Sequence, residues 1–164
     1  MIETALAPAV SQRTLSNTIS FGTINISLLF TGEETGGSFS LVESVMRPGT
    51  EPPYHIHDRE DETFYVLEGH LSVMVDGVVH ECHPGQTIFL PRGIPHTFRV
   101  RSRVARVLNY LTPSGFEKYF QQLGTPAMSL DKPNAETRPA NYAEVAGRAS
   151  AMCGVRLADY QPQF

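Results

Sequence analysis

A chain of 164 residues has room for one hydrophobic core and a single domain. Its 13 basic side chains against 17 acidic ones leave a net charge of −4, which argues against nucleic acid, whose binders present a basic stripe. No apolar run approaches the ~20 residues of a membrane-spanning helix, and the opening M-I-E-T-A-L-A-P-A-V carries an acid and no basic region, so neither a membrane span nor a secretory leader is expected.

In chain order, residues 1–16 show no clear periodicity and read as a flexible arm. Residues 17–112 read as short strands separated by turns, the pattern of an all-β sandwich or barrel, for which a jelly roll is the natural closed form. Glu33-Glu34-Thr35-Gly36-Gly37 is a turn between strands at 24–30 and 39–45. Asp76-Gly77 is a hairpin signal between strands at 71–75 and 78–82. Residues 113–164 read as a helical extension packed on the barrel. Ser114-Gly115-Phe116-Glu117 is a capping-box signature, and Phe116, Tyr119, Phe120 and Leu123 follow as an apolar stripe ended by Gly124. Core packing is the simplest use of that stripe; lining a cavity is the other. A Pro-rich linker covers 125–139, and a second helix is expected over about 141–153, with Gly154 as its stop. That helix is placed to cap the barrel mouth or to pass to a partner.

Two segments carry the chemistry. In a strand, side chains alternate faces and advance ~3.3 Å per residue, so His55 and His57 point the same way, ~6–7 Å apart at Cβ, and can converge on one ion. The charged stretch Asp58-Arg59-Glu60-Asp61 reads as a turn, so Glu62 enters from the next strand, on one face with Phe64 and Val66. Thr63, Tyr65 and Leu67 take the other face, which is apolar enough to be covered by further strands or by a partner subunit. His96 follows a strand at 87–90 and a turn built from Pro91, Gly93 and Pro95, and alternates with Phe98 and Val100. Three imidazoles and a carboxylate suit iron, manganese, nickel, cobalt or zinc better than calcium or magnesium. Four protein ligands on an octahedral ion leave two open positions, as a reactive site requires. Among the remaining histidines, His70, His80 and His83 read as surface side chains, and the Arg99, Arg101, Arg103, Arg106 series reads as a solvated strand face.

These residues carry a resemblance. Gly49, His55, His57, Glu62 and Gly69 match every fixed position of the first cupin motif, G-x5-H-x-H-x3,4-E-x6-G. Gly85, Pro91, Gly93 and His96 match the second, G-x5-P-x-G-x2-H-x3-N, with Val100 in place of the final Asn. The chain therefore resembles the cupins, and its layout is similar to quercetin 2,3-dioxygenase-like members of that superfamily. The resemblance implies a cupin jelly-roll barrel (a double-stranded β-helix) with C-terminal helices, one divalent transition metal held by His55, His57, Glu62 and His96, and dioxygen opening the ring of a flavonol-like or other enolic aromatic molecule. Glu62 would then serve as ligand, as general base for the substrate hydroxyl, or as both in turn. Phe39, Phe64 and Phe98 are the candidates to line an apolar substrate cavity. Two other readings share the motif, because a fold does not fix a chemistry: a small-molecule binding or sensing protein without turnover, and a metal-dependent isomerase, cyclase or lyase. Small cupins pair, so a homodimer is expected, and two lone thiols, Cys82 and Cys153, fit a reduced cytoplasmic setting without a disulfide.

Overall fold

The computed structural model describes residues 6–22, 24–49, 51–135 and 141–164. After a 3-10 turn at Leu15–Asn17 come β1 (Thr18–Phe21), β2 (Ile24–Phe30), β3 (Ser40–Met46), β4 (His55–His57), β5 (Asp61–Glu68), β6 (Leu71–Val75), β7 (Val78–Cys82), β8 (Thr87–Leu90), β9 (His96–Val100) and β10 (Ala105–Thr112). The C-terminal part adds α1 (Glu117–Leu123), β11 (Thr125–Pro126), α2 (Tyr142–Cys153) and β12 (Val155–Leu157).

Two antiparallel sheets face each other. One has the order β11-β1-β2-β3-β10-β5-β8, the other β12-β4-β9-β6-β7. Alternation explains the sandwich: Ile26, Val42 and Val66 point inward from the first sheet, Leu71, Val73 and Val100 from the second, and all are buried in one cluster. Each such side chain contributes about 1.5–3 kcal/mol on leaving water. The Asp76-Gly77 turn forms as expected, with φ of 48° and 79°, and joins β6 to β7. Val100, at the position of the missing Asn, lies in the core opposite Leu71, and its N–H donates to Glu51 Oε1 at 3.1 Å.

Several local expectations change. Residues 6–14 hold no regular element, yet they are tied down, because Arg13 bridges to Glu43 at 3.3 Å and to Asp131 at 2.9 Å. No capping box forms at α1, whose N-cap is Phe116 without a side-chain cap. The Glu117 carboxylate instead accepts from the N–H of Gly115 (2.7 Å) and of Gly32 (3.0 Å), tying the helix to the β2–β3 loop. The extension is not purely helical, since β11 pairs with β1 and β12 with β4. Residues 136–139 of the expected linker, with residue 140 after it, lie outside the described residues. Gly154 ends α2 as expected, at φ 71°, where a Cβ would meet the Arg59 side chain at 2.9 Å. Arg59 also donates to the Met152 carbonyl at 2.7 Å, a cation at the negative end of the helix. None of the described helices is long and apolar enough to cross a membrane.

Candidate metal centre

Strand pairing brings the sequence-distant imidazoles together. His55 on β4 lies directly opposite His96 on β9, and His57, two residues on, shares the face of His55. His55, His57 and His96 form a group able to hold a metal ion, with one nitrogen from each within 4.8 Å of the others. The Nε2 atoms of His55 and His57 are 3.2 Å apart. Glu62 arrives from β5 in the facing sheet, with Oε2 3.3 Å from His96 Nε2 and Oε1 3.8 Å from His57 Nε2. Three nitrogens from one sheet thus meet one carboxylate from the other.

The rings are aimed by what stands behind them. His55 Nδ1 faces the Pro53 carbonyl at 2.9 Å, and His96 Nδ1 faces the Ile94 carbonyl at 3.0 Å. An acceptor at Nδ1 places the ring proton there and leaves the Nε2 lone pair free. Behind His57 stands a carboxylate, with Glu60 Oε2 3.6 Å from Nδ1, an ion-pair distance at which neither atom is hydrogen-bonded. Glu60 is only 2 % exposed. In the sequence it belongs to a charged run that reads as a solvated turn, so nothing local announced it.

The electrostatics suit a cation. Burial, then the neighbouring His96 and His57, push His55 down to about 3, so it is neutral at ordinary pH. Burial works against the Glu62 carboxylate, but His57, His96 and His55 outweigh it and hold its pKa at about 2. Burial likewise opposes a charge on His57, yet Glu62 and Glu60 raise its proton affinity. His96 Nε2 is buried and has no hydrogen-bond partner. An unpartnered nitrogen beside an ionised carboxylate and a neutral imidazole is a donor set that a transition metal completes.

The cluster opens onto a hollow of about 690 Å³. Phe64 and Phe98 line it and pack edge-on at 5.9 Å between ring centres. Phe39 is a correction: it takes no part in the lining and stacks on Tyr110 at 5.0 Å. Leu41 pairs with Tyr110, whose side chain is 39 % exposed, so the odd-numbered residues here point outward and Phe39 goes with them. The stripe at α1 packs as core, with Phe116 in a buried cluster beside Leu111 and Cys153 and with Tyr119 and Phe120 against it, and it also forms a wall of the hollow through Phe116, Tyr119, Phe120 and Leu123. Phe116 touches the histidine cluster itself, edge-on to His57 at 4.4 Å between ring centres. α2 closes the hollow with Tyr142 and with the small Ala146, Gly147 and Ser150. Tyr65 and Leu67, expected to be covered, are 43 % and 37 % exposed in the single chain.

Comparison with known proteins agrees with this geometry. Residues 42–110 match the family described as Cupin domain. Over 94 residues, 57 % of this chain, it is 33 % identical to a quercetin 2,3-dioxygenase of Bacillus subtilis, of which the match covers 28 %. Over 100 residues, 59 % of this chain, it is 35 % identical to the polyketide synthase protein CurC of Streptomyces cyaneus, covering 64 % of it. The chain therefore spans less than two thirds of either relative. Among solved structures, an RmlC-like cupin from Shewanella frigidimarina superposes with a TM-score of 0.54 at 20 % identity, over 67 % of this chain and 96 % of that one, a likeness of fold. Residues 42–110 thus match the cupin domain model, and the two facing sheets have the jelly-roll fold of the cupin structure on which they superpose.

Proposed function

We propose that the protein is a metal-dependent dioxygenase that opens the ring of a flat enolic or phenolic molecule, in the manner named for its quercetin 2,3-dioxygenase relative. One observation carries this reading: three imidazole nitrogens converge at a hollow of about 690 Å³ with an aromatic wall. A bound ion would supply Lewis acidity toward a hydroxyl-ketone and an open position for dioxygen.

The chain's own residues do the rest. His55, His57 and His96 hold the ion, and Glu62 is the fourth ligand. Glu62 is ionised and so accepts a hydrogen bond from the substrate's hydroxyl, and it takes that proton only where a bound ion would acidify the hydroxyl. Phe116 stands against the ligand cluster, where its ring stacks on the substrate and excludes water from the reacting face. Arg156 is the one Lys or Arg among the described lining residues, and its Nε is engaged by Asp58 at 3.1 Å, so beyond the ion itself the described lining offers an anionic substrate little.

Elemental analysis of natively purified protein, followed by oxygen-electrode assays with quercetin and with diketones, tests the proposal. Near-stoichiometric transition metal and oxygen uptake matched mole for mole by substrate loss are expected. Metal-loaded protein that consumes no oxygen with either class overturns it. A second reading has one observation in its favour: the match covers a larger share of CurC, so a metal-dependent cyclase or isomerase on a polyketide-like molecule follows if product forms without oxygen. Ligand recovered unaltered under both atmospheres points to the binding or sensing role.

A further inference from the structure

The polar side chains that line the hollow are mostly engaged within the fold. Ser20 Oγ accepts from the N–H of Asn134 at 2.8 Å. Glu51 accepts from the N–H of Gly49 at 2.9 Å and of Val100 at 3.1 Å. Asn109 differs. It lies on β10, lines the hollow and is only 8 % exposed. Its Nδ2 donates to Glu62 Oε1 at 3.3 Å, while its Oδ1 has no hydrogen-bond partner. Nδ2 is the end of the amide that faces the carboxylate. Oδ1 is thereby turned away from Glu62. Its inward-facing neighbour along β10 is Val107, and Phe64 is its pairing partner on β5. A buried acceptor left without a donor is unfavourable, and an incoming donor relieves it.

We propose that Asn109 is a substrate-reading residue: its Oδ1 accepts a hydrogen bond from a phenolic or enolic hydroxyl of the bound molecule, beside the oxygen that the His55, His57, His96 and Glu62 cluster takes. This rests on the proposed function, since it presumes a hydroxylated aromatic ligand in the hollow. It adds that the ligand must carry a hydroxyl donor at this place, and that an ether or a bare C–H there is rejected. The same amide holds Glu62 through Nδ2, so one side chain links recognition of the hydroxyl to the placement of the carboxylate.

The test is binding to chelator-treated full-length protein, so that metal coordination contributes nothing. The probes are 3-hydroxyflavone, 5-hydroxyflavone and unsubstituted flavone, titrated by calorimetry against the wild type, Asn109→Leu and Asn109→Ala. At least one hydroxylated probe is expected to bind the wild type about tenfold more tightly than flavone. Both substitutions are expected to abolish that preference while flavone affinity stays within about twofold. Two substitutions keep the test decisive if one fails to fold. Persistence of the preference in a folded variant overturns the role of Asn109. Equal weakening of all three probes overturns it too, because that marks a structural contribution. If no probe binds the wild type at ~1 mM, the aromatic-ligand reading itself fails, a result distinct from the other two.

Discussion

Glu60→Gln isolates the contact behind His57. Of the three rings, two face backbone carbonyls at hydrogen-bond distance, 2.9 and 3.0 Å, and His57 faces a side chain, the Glu60 carboxylate, at 3.6 Å with no hydrogen bond between them. Removing a carboxylate that orients a ligating histidine typically costs 10–100-fold in metal affinity. The longer separation here puts the expected loss near the low end, about tenfold, or ~1.4 kcal/mol. At a fixed metal concentration above the dissociation constant, that difference appears directly in folding stability. For a chain of this size, ~1 kcal/mol moves the midpoint by ~2–4 °C, so the metal-induced rise in Tm should shrink by ~3–6 °C. The assay is calorimetric unfolding of chelator-treated protein with and without added manganese, nickel or zinc. The readout is the shift caused by metal, not the absolute midpoint, because neutralising a buried acid also changes the metal-free protein. An identical metal-induced shift in wild type and variant would refute the orienting role of Glu60.

Further outcomes follow from the same geometry. Glu62→Gln should retain metal on the three imidazoles and lose ~10²-fold or more in turnover; full activity in that variant removes Glu62 as the base. Gly147→Leu tests the α2 wall: a Cβ there meets nothing within 4 Å, and leucine is a better helix former than glycine by roughly 0.5–1 kcal/mol. Flavonol affinity should fall at least tenfold, with metal binding and Tm held or raised; unchanged affinity takes α2 off the ligand surface. Tyr65, Phe89 and Tyr110 stand 43 %, 58 % and 39 % exposed on the outer face of one sheet, so a homodimer that covers them is expected. Sedimentation as a monomer at working concentration rejects that arrangement.

The parts that were legible beforehand are those where spacing and period act locally. His55 and His57 share a face because strands have a period of two, and Glu62, Phe64 and Val66 do so for the same reason. Asp76-Gly77 named its own turn. Phe39 went astray on parity: β3 is buried along nearly its whole length, so hydrophobicity alone did not tell its two faces apart, and the observed start at Ser40 leaves Phe39 on the outer one. Glu60 was hidden because a charged run looks solvated until α2 and β12 close over it. Asp58 N–H donates to the Gly154 carbonyl at 2.8 Å, a contact made between residues 96 positions apart. Asn109 did leave a trace, as the polar member of the inward series Val107, Asn109, Leu111. β11 and β12 left none, since strands of two or three residues exist only through the neighbour they pair with.

That last pairing has a mechanical side. Val155, Arg156 and Leu157 lie in register with His57, Ile56 and His55, so the end of the chain splints the ribbon that bears two of the three nitrogens. The roof over the hollow and the floor that bears His55 and His57 are therefore one piece of scaffolding. Whatever lifts the roof to admit a guest pulls, through β12, on those two imidazoles.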